Sequence, residues 1–488
     1  MAFAPPRAAP RRNTFAHALA SFLLAWMCPF IGARGSFAQN SSVSQAATKQ
    51  KDAQAAAARG DWPEAATLYA DAVKLAPRDA KLRIQLGSAL AKAQRYTDAI
   101  SNYQEALKLS PHNSAAEVGL AQAFRSVNNF DEARRILERA VRQHPHDAAP
   151  LAVLGDTELE MQTYDIAIKH FLAALTLDAG NTDTRNRLAS AYRSKGDAAS
   201  ALAQIAKVLA RDPQNALAYY LRGEIEADHN DDAAALRDAE KVLELQPQNR
   251  PGRILLAKVL VRAPADADPD TITARCQRAA DTLEPLRGEG QESETLFLLS
   301  RAYQCAGESD KAKEALDAFE AASQRDRAAA EGEKQAMHLV QEANERAMKN
   351  DLRGALDLLQ QALEKNPNDG TAYSQLAKLY YSTGDVGRAS EAIAKALSLD
   401  PYQPDFHYVQ GKILEKQGKL EEALSEFGQT AVLNPKESDA YYEMGGIYER
   451  LRDRPRALAA YKRAVELSPD DPDYRRALAA LNGNSASR

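Results

Sequence analysis

Few residues in this 488-residue chain have the types and spacing that chemistry at a site requires. The histidines of "HPH", His144 and His146, lie close together, but no further metal ligand follows at a usual spacing. The acidic stretch "DADPD" (Asp266–Asp270) lacks the spacing and the glycine of a calcium-binding loop. We interpret both as solvated polar segments and predict that the protein holds no metal and no cofactor.

The sequence signatures of common catalytic sites are absent as well. The chain has no His-Glu-x-x-His pair, no glycine-rich phosphate loop ending in Lys-Ser/Thr and no Gly-x-Ser-x-Gly turn. Its net charge is −5, with both signs interleaved and no long run of lysine and arginine beyond the first few dozen residues. Nucleic acid is therefore not expected as a partner. We predict a protein that is not an enzyme.

The N-terminal segment has the plan of a secretory signal peptide. Three arginines precede the apolar run Phe15–Ile31, and small residues spaced two apart follow it at Ser36 and Ala38. This order predicts cleavage between Ala38 and Gln39, and export to the periplasm or the outside of the cell. The alternative is an uncleaved segment that anchors the protein in a membrane.

A period of 34 residues runs through most of the rest of the chain. It is marked by prolines in two sets, which are Pro77, Pro111, Pro145, Pro213 and Pro247, with Ala179 in the empty slot, and then Pro367, Pro401, Pro435 and Pro469. A small residue, a nearly constant alanine and often a large apolar residue share the period, as at Gly87, Ala99 and Tyr103. Each period reads as two amphipathic helices, the second ended by proline. One such hairpin cannot bury its apolar face, so the hairpins must stack.

These columns resemble the tetratricopeptide repeat, and "IQLGSALAKAQRYTDAISNYQEALKLSP" (Ile84–Pro111) is similar to it almost throughout. The resemblance covers about residues 46–469. It implies an all-α fold, a right-handed superhelical solenoid of about twelve helix–turn–helix repeats, in two arrays joined by an irregular middle. It also implies that proteins or peptides bind in a concave groove. With the N-terminal segment, the resemblance is to an exported bacterial type.

The period divides the chain into segments. We predict a signal peptide over 1–38, a short linker over 39–45, an N-terminal array of six repeats over 46–249, irregular repeats with insertions over 250–335, a C-terminal array of four repeats over 336–471, and a capping helix with a frayed tail over 472–488. The insertion at 327–335 is expected to lengthen a helix, with Gly332 as a place where that helix bends.

Two of the three cysteines lie in the irregular middle, and the third, Cys28, lies in the predicted signal peptide. We expect an insertion over 263–270 between two helices, with Cys276 at the start of the second helix and Cys305 at the end of the next one. Both thiols would then lie at one end of the layer. An oxidising compartment would allow a disulfide between them, whereas in the cytosol they would be two buried thiols.

The resemblance implies that the first helix of each repeat lines the groove. At its inward positions we predict the peptide-binding residues Tyr220, Glu224, Lys378, Tyr408, Lys412, Tyr442 and Arg450. Tyrosine offers a flat apolar surface and one hydrogen-bonding tip, which suits peptide recognition. The alternative is that these rings only cover neighbouring helices. The lysine and asparagine clamp of similar cytosolic co-chaperones is absent; Asn186, Ser190 and Arg193 match it only in part.

The sequence thus predicts a non-enzymatic scaffold that binds proteins or peptides in the cell envelope. Two alternatives stay open. One is an assembly or accessory subunit of an envelope machine for export or biogenesis, and the other is a regulatory subunit of a separate enzyme.

Overall fold

The protein is described by a computed structural model over residues 29–262, 268–288 and 293–483. Within these ranges it has 24 α-helices, one short 3₁₀ turn and no strand. The first twelve helices are α1 (Pro29–Ala58), α2 (Trp62–Leu75), α3 (Ala80–Lys92), α4 (Tyr96–Leu109), α5 (Ser114–Ser126), α6 (Phe130–Gln143), α7 (Ala148–Glu160), α8 (Tyr164–Leu177), α9 (Thr182–Lys195), α10 (Ala198–Arg211), α11 (Ala216–Asp228) and α12 (Asp232–Leu245).

The remaining helices are α13 (Arg250–Leu260), α14 (Pro269–Leu283), α15 (Ser293–Cys305), α16 (Ser309–Met348), α17 (Leu352–Lys365), α18 (Gly370–Thr383), α19 (Val386–Leu399), α20 (Pro404–Lys416), α21 (Leu420–Leu433), α22 (Ser438–Arg450), α23 (Arg454–Leu467) and α24 (Pro472–Gly483). The predicted all-α class of stacked helical hairpins is confirmed. None of the helices in the described ranges combines the length and the apolarity needed to cross a lipid bilayer.

The helix ends follow from local chemistry. The second helix of a hairpin ends two residues before each repeated proline, as α4 does at Leu109 before Pro111. α8 ends in the same register, at Leu177, although Ala179 stands in the proline slot. There the next helix starts at a side-chain cap, because Asn181 accepts a hydrogen bond from the Thr184 amide at 2.9 Å. Proline and cap therefore each suffice to end one helix and begin the next.

Most hairpins of the two arrays place a small residue on the first helix and a large one on the second, 16 residues later in the chain. The small residue is glycine and the large one aromatic in the pairs Gly87/Tyr103, Gly155/Phe171, Gly411/Phe427 and Gly445/Tyr461, whereas the first hairpin has Ala53 and Tyr69. A methyl group at these glycines would lie 2.5 to 2.9 Å from the ring. Where the large residue is aliphatic, the small residue is alanine, in the pairs Ala121/Leu137, Ala189/Ile205 and Ala377/Ile393. The two columns of the period are thus matched in volume.

The chain forms two compact units, one ending at Ala123 and the other beginning at Phe124. In the first unit, the Gln50 side chain donates a hydrogen bond to Gln85 at 2.7 Å and so links α1 to α3. In the second unit, buried apolar side chains form clusters that extend across neighbouring hairpins.

The N-terminal part differs from the predicted segmentation. α1 runs without a break from Pro29 to Ala58, so residues 39–45 are helical and do not form a linker. The physical reason is that residues 36–58 contain neither proline nor glycine and are rich in alanine, which favours helix. The predicted cleavage point, between Ala38 and Gln39, lies within this helix. Most of the predicted signal peptide, residues 1–28, lies outside the described residues.

α16 is a single helix of 40 residues, and it includes the insertion at 327–335. The helix is lengthened as predicted and is continuous through Gly332, and the predicted boundary between 335 and 336 falls inside it. The bend at Gly332 stays a prediction, and the residue also has a packing role. It packs against the end of α17, where a methyl group would lie 2.5 Å from the Lys365 carbonyl oxygen. One glycine costs a helix only about 1 kcal/mol relative to alanine, too little to interrupt one this long.

The irregular middle also differs in detail. The insertion lies between α13 and α14 as predicted, and residues 263–267 lie outside the described ranges. α14 begins earlier than expected, at Pro269, because the Asp268 side chain accepts a hydrogen bond from the Thr271 amide at 2.9 Å. The prediction for Cys276 is therefore wrong in one respect, since it lies in the middle of α14. Cys305 ends α15 as expected.

Candidate functional site

The first helices of successive hairpins lie side by side, and charged side chains join them across the gap. We call the surface formed by these helices within the second unit (residues 124–126 of α5, α7, α9, α11, α13, residues 336–348 of α16, α18, α20 and α22) the first-helix face. Three of its ion pairs join residues 31 apart in the sequence, with the distances 3.5 Å for Arg125–Asp156, 2.6 Å for Arg193–Glu224 and 2.8 Å for Lys412–Glu443. The face is thus cross-linked by its own charges.

Three of the predicted groove residues meet at one network in the C-terminal array. Glu443 accepts a hydrogen bond from the Tyr408 hydroxyl at 3.3 Å and from the Lys412 ammonium at 2.8 Å. Glu415 lies 3.4 Å from Lys412 and 2.9 Å from the Arg450 guanidinium. Burial, and then the charge of Glu443, raise the pKa of Tyr408 well above its ordinary value. Tyr408, Lys412 and Arg450 are therefore joined through two shared carboxylates, and the Tyr408 ring also packs against that of Phe427 with 5.5 Å between centroids.

Tyr442 is covered by other aromatic rings. Its ring stacks on that of Tyr474 with 4.9 Å between centroids, and it lies 5.7 Å from that of Tyr461. Tyr474 belongs to the capping helix α24, and its hydroxyl donates a hydrogen bond to Asp439. This packing is what the alternative interpretation of the tyrosines describes, in which the rings cover neighbouring helices.

Tyr220 and Glu224 lie one turn apart on α11. The Glu224 carboxylate pairs with Arg193 on α9 at 2.6 Å. The Tyr220 ring is half-buried, and its hydroxyl makes no hydrogen bond with any described residue. Burial, followed by the charge of Glu224, raises the pKa of Tyr220. Leu217 on the same helix is 51% exposed, so an aliphatic side chain and an aromatic one are both presented here.

Lys378 lies at the edge of an open cleft of about 450 Å³ between α16, α17 and α18. Its ammonium is 2.9 Å from both carboxylate oxygens of Asp405, so its charge is neutralised within the face. The apolar lining of the cleft consists of Ala343, Ala347, Leu352, Ala355, Leu359 and Leu379. The polar lining consists of Asn344, Asn350, Gln375, Lys378 and Ser382. We call this feature the α16–α18 cleft.

Sequence reasoning identified only Lys378 among the residues of this cleft. One signal was available. Ala347 occupies a position of the period that holds Tyr381, Glu415 and Glu449 in the three following repeats. The small side chain at 347 leaves open the space that larger side chains have in those repeats.

The other residues singled out in the sequence have structural surroundings. His144 and His146 lie at the turn after α6, and Asp268 of the acidic stretch caps α14. Asn186 is only 2% exposed and donates to the Asn215 side chain at 3.1 Å, so it is not available as part of a clamp. Over the described ranges, no three His, Cys, Asp or Glu side chains come together in a way that could hold a metal ion.

Cys276 and Cys305 are joined by a disulfide, with their Cα atoms 5.7 Å apart. Cys276 is fully buried. The bond ties the middle of α14 to the end of α15. It therefore fastens the part of the chain in which the period is broken.

Two family profiles, both described as tetratricopeptide repeat, match this sequence. One matches residues 90–156 and 347–413, and the other matches residues 51–114, 186–250 and 408–472. Together they cover more than half of the chain. No curated protein matches the sequence.

Similar solved structures include the APC/C hetero-tetramer Cut9–Hcn1, at 14% identity over 92% of each chain and a TM-score of 0.38. YrrB, described as a TPR protein with an unusual peptide-binding site, is 23% identical over 38% of this chain and 95% of its own, with a TM-score of 0.30. MamA is 22% identical over 30% of this chain and 84% of its own, with a TM-score of 0.28.

Proposed function

Because the chain belongs to the tetratricopeptide-repeat family, we propose that it is a non-enzymatic scaffold that binds a protein or peptide on its first-helix face. The α16–α18 cleft is the observation that carries this proposal. It is open, it is lined by six apolar and five polar residues, and its volume of about 450 Å³ is in the range of ligand sites.

The chemistry of the rest of the face agrees with a binding role. Arg193, Lys378 and Lys412 are paired with carboxylates of neighbouring hairpins, which orders these side chains before a partner arrives. Exposed apolar side chains are also present on this face, at Leu217 and Met348. A rigid surface with apolar anchors suits recognition of another chain.

Photo-crosslinking tests this proposal. A photoreactive phenylalanine analogue at Leu217 or Met348, which are 51% and 80% exposed, is expected to capture the same discrete partner in cells. Matched controls carry the analogue at Leu172 and Leu177 on the second helix α8, both 41% exposed, and should capture none. Equal capture from both sets of positions would contradict the proposal. A single stable complex of fixed stoichiometry would favour the assembly-subunit alternative over a general peptide binder.

We further propose that the protein acts in the cell envelope after export. The support is the basic, apolar and small-residue order of residues 1–38 and the pairing of Cys276 with Cys305, a bond that persists in oxidising compartments. A signal segment that is retained would instead hold the protein at the membrane.

Thiol titration and intact mass of the protein from fractionated cells test this location. The expected result is an envelope protein that begins at Gln39 and shows no free thiol when it is denatured without reductant. An uncleaved anchor would show one free thiol, from Cys28. A cytosolic protein with three free thiols would contradict both the location and the disulfide. The Cys276→Ser/Cys305→Ser double variant provides the background reading.

A further inference from the structure

The α16–α18 cleft exists because of a local change in side-chain size. Near the end of α16, Ala347 contributes only a methyl group to the lining of the cleft. The chain then turns at Asn350, whose φ is +62°, and α17 begins. Leu352, Leu359 and Leu379 line the space beneath. A cavity of about 150 Å³ already accepts a benzene-sized group, so a space of about 450 Å³ accommodates any single aliphatic side chain.

The charge of the cleft is balanced. Lys378 is the one charged residue among those that line it, and both carboxylate oxygens of Asp405 lie 2.9 Å from its ammonium. The other polar groups are amides and a hydroxyl. A charged side chain that entered the cleft would lose water without gaining a counter-ion, whereas an aliphatic side chain would cover leucine and alanine surface.

Two amide side chains line the cleft from different helices. Asn344 lies on α16 and Gln375 on α18, and both are half-buried. Neither makes a hydrogen bond to any residue in the described part of the chain. A side-chain amide carries a donor and an acceptor in the arrangement that a peptide unit also has, so it can pair with the backbone of an extended segment.

We propose that this cleft takes one uncharged aliphatic side chain of an extended peptide, whose backbone is held by Asn344 and Gln375. The inference rests on the proposed binding function and adds the class of side chain that the site selects. The apolar lining supplies affinity for leucine-like side chains, and the neutralised Lys378 excludes carboxylates as well as cations.

Saturation-transfer NMR with the full chain tests the proposal. The probes are three tripeptides with blocked ends, Gly-Leu-Gly, Gly-Lys-Gly and Gly-Glu-Gly. The leucine peptide is expected to bind roughly tenfold more tightly than either charged peptide, since burying its side chain contributes most of the affinity. Equal binding of all three peptides, or tighter binding of a charged one, would overturn the proposal.

Two substitutions localise the effect. Ala347→Trp fills the cleft from a partly exposed position and should abolish leucine-peptide binding, while Ala330→Trp, at an exposed position of the same helix, should leave it intact. Asn344→Asp keeps the shape of the side chain but adds a negative charge, so it should admit the lysine peptide. Unchanged binding in Ala347→Trp would place the peptide elsewhere and refute the inference.

Different results would contradict the peptide preference of the cleft and the scaffold function. If tripeptide selection is absent but crosslinks from Leu217 and Met348 persist, the inference about the cleft is wrong and the scaffold function stands. If those crosslinks are absent too, the proposed function itself is wrong.

Discussion

At the scale of single residues, Glu226 on α11 is the acid whose pKa is shifted most clearly by its surroundings. Burial, followed by the negative charge of Asp238, raises the pKa of Glu226 to about 7. Arg222 opposes this only weakly, because its guanidinium is held by the two oxygens of Asp238 at 2.6 and 2.7 Å. One Glu226 oxygen is buried without a hydrogen-bond partner. The ionised form of Glu226 is therefore destabilised in the folded protein.

This pKa makes stability depend on pH in a known direction. The pKa of Glu226 in the folded protein lies above the ordinary 4.5. The stability that its protonated form contributes to the folded protein is therefore present below pH 4.5 and is lost as pH rises through about 7. Glu226→Gln should therefore stabilise the protein at pH 8 by about 1 kcal/mol, after allowance for partial solvation, and have little effect at pH 4.5. Urea denaturation at both values measures this. Glu391→Gln, at an exposed position of α19, is the control and should show no such difference. A stabilisation that is equal at the two values would contradict the assignment.

The sequence located such residues on helices but not their partners. Its period placed Tyr408, Lys412 and Arg450 on first helices, as the structure has them. It did not indicate that Glu443 and Glu415 join them, because which side chains meet depends on how far adjacent helices are shifted along each other. That shift is set by packing across hairpins and is not written in any one repeat.

At the scale of helices, the matched columns show what determines how closely two helices approach. In seven hairpins glycine faces an aromatic ring or alanine faces an aliphatic side chain, so the volume at the contact changes little among them. The pairs Ala53/Tyr69 and Gly223/Ala239 are exceptions. In the second of these, Leu255 and the Asp238 side chain come within 3.0 and 3.2 Å of where a methyl group on Gly223 would lie. The space left by a small partner is thus filled from other residues.

Coupling between the two columns is directly testable in the hairpin of α20 and α21. Gly411→Ala places a methyl group 2.8 Å from the Phe427 ring and should cost about 1–3 kcal/mol of unfolding free energy. Phe427→Ile alone should cost about 1–3 kcal/mol through the cavity it leaves. The double variant recreates the alanine–isoleucine pair of other repeats, so it should be at least about 1 kcal/mol more stable than the sum predicts. Urea denaturation of all four proteins measures this coupling.

A glycine on the partner helix α21 separates packing from helix propensity. Gly428 has no atom within 4 Å of where a methyl group would be added. Gly428→Ala should therefore raise the unfolding free energy by up to about 1 kcal/mol, which is the propensity difference between the two residues. If Gly411→Ala stabilised the protein as well, or if the double variant were simply additive, the volume rule would be refuted.

Helix ends were largely predictable, because caps and prolines act within a few residues. Cys276 shows the limit. It was expected at a helix start, but the Asp268–Pro269 pair upstream offers both a cap and a favourable first residue. At Gly332 the sequence suggested a bend in α16, but it could not show the close contact with the Lys365 carbonyl of α17. Contacts between elements decide such cases.

At the scale of the whole molecule, the repeated columns were sufficient to predict the fold class. A period that recurs six times in one array and four times in another leaves few alternatives to stacked hairpins, and the prolines alone reveal it at nine positions. The α16–α18 cleft could not be found in the same way. It depends on the small size of the Ala347 side chain. The space that a small side chain leaves can be recognised only when the positions of the neighbouring helices are known.

The unbroken α16 also has a consequence for how the second unit unfolds. In a repeat protein each hairpin usually opens and closes against its neighbours, so stability is shared out locally. Here one helix serves the last hairpin of the irregular middle at one end and the first hairpin of the C-terminal array at the other. Fraying on either side must melt part of the same helix. The continuous helix α16 therefore makes the junction between the two arrays part of one segment that folds and unfolds cooperatively.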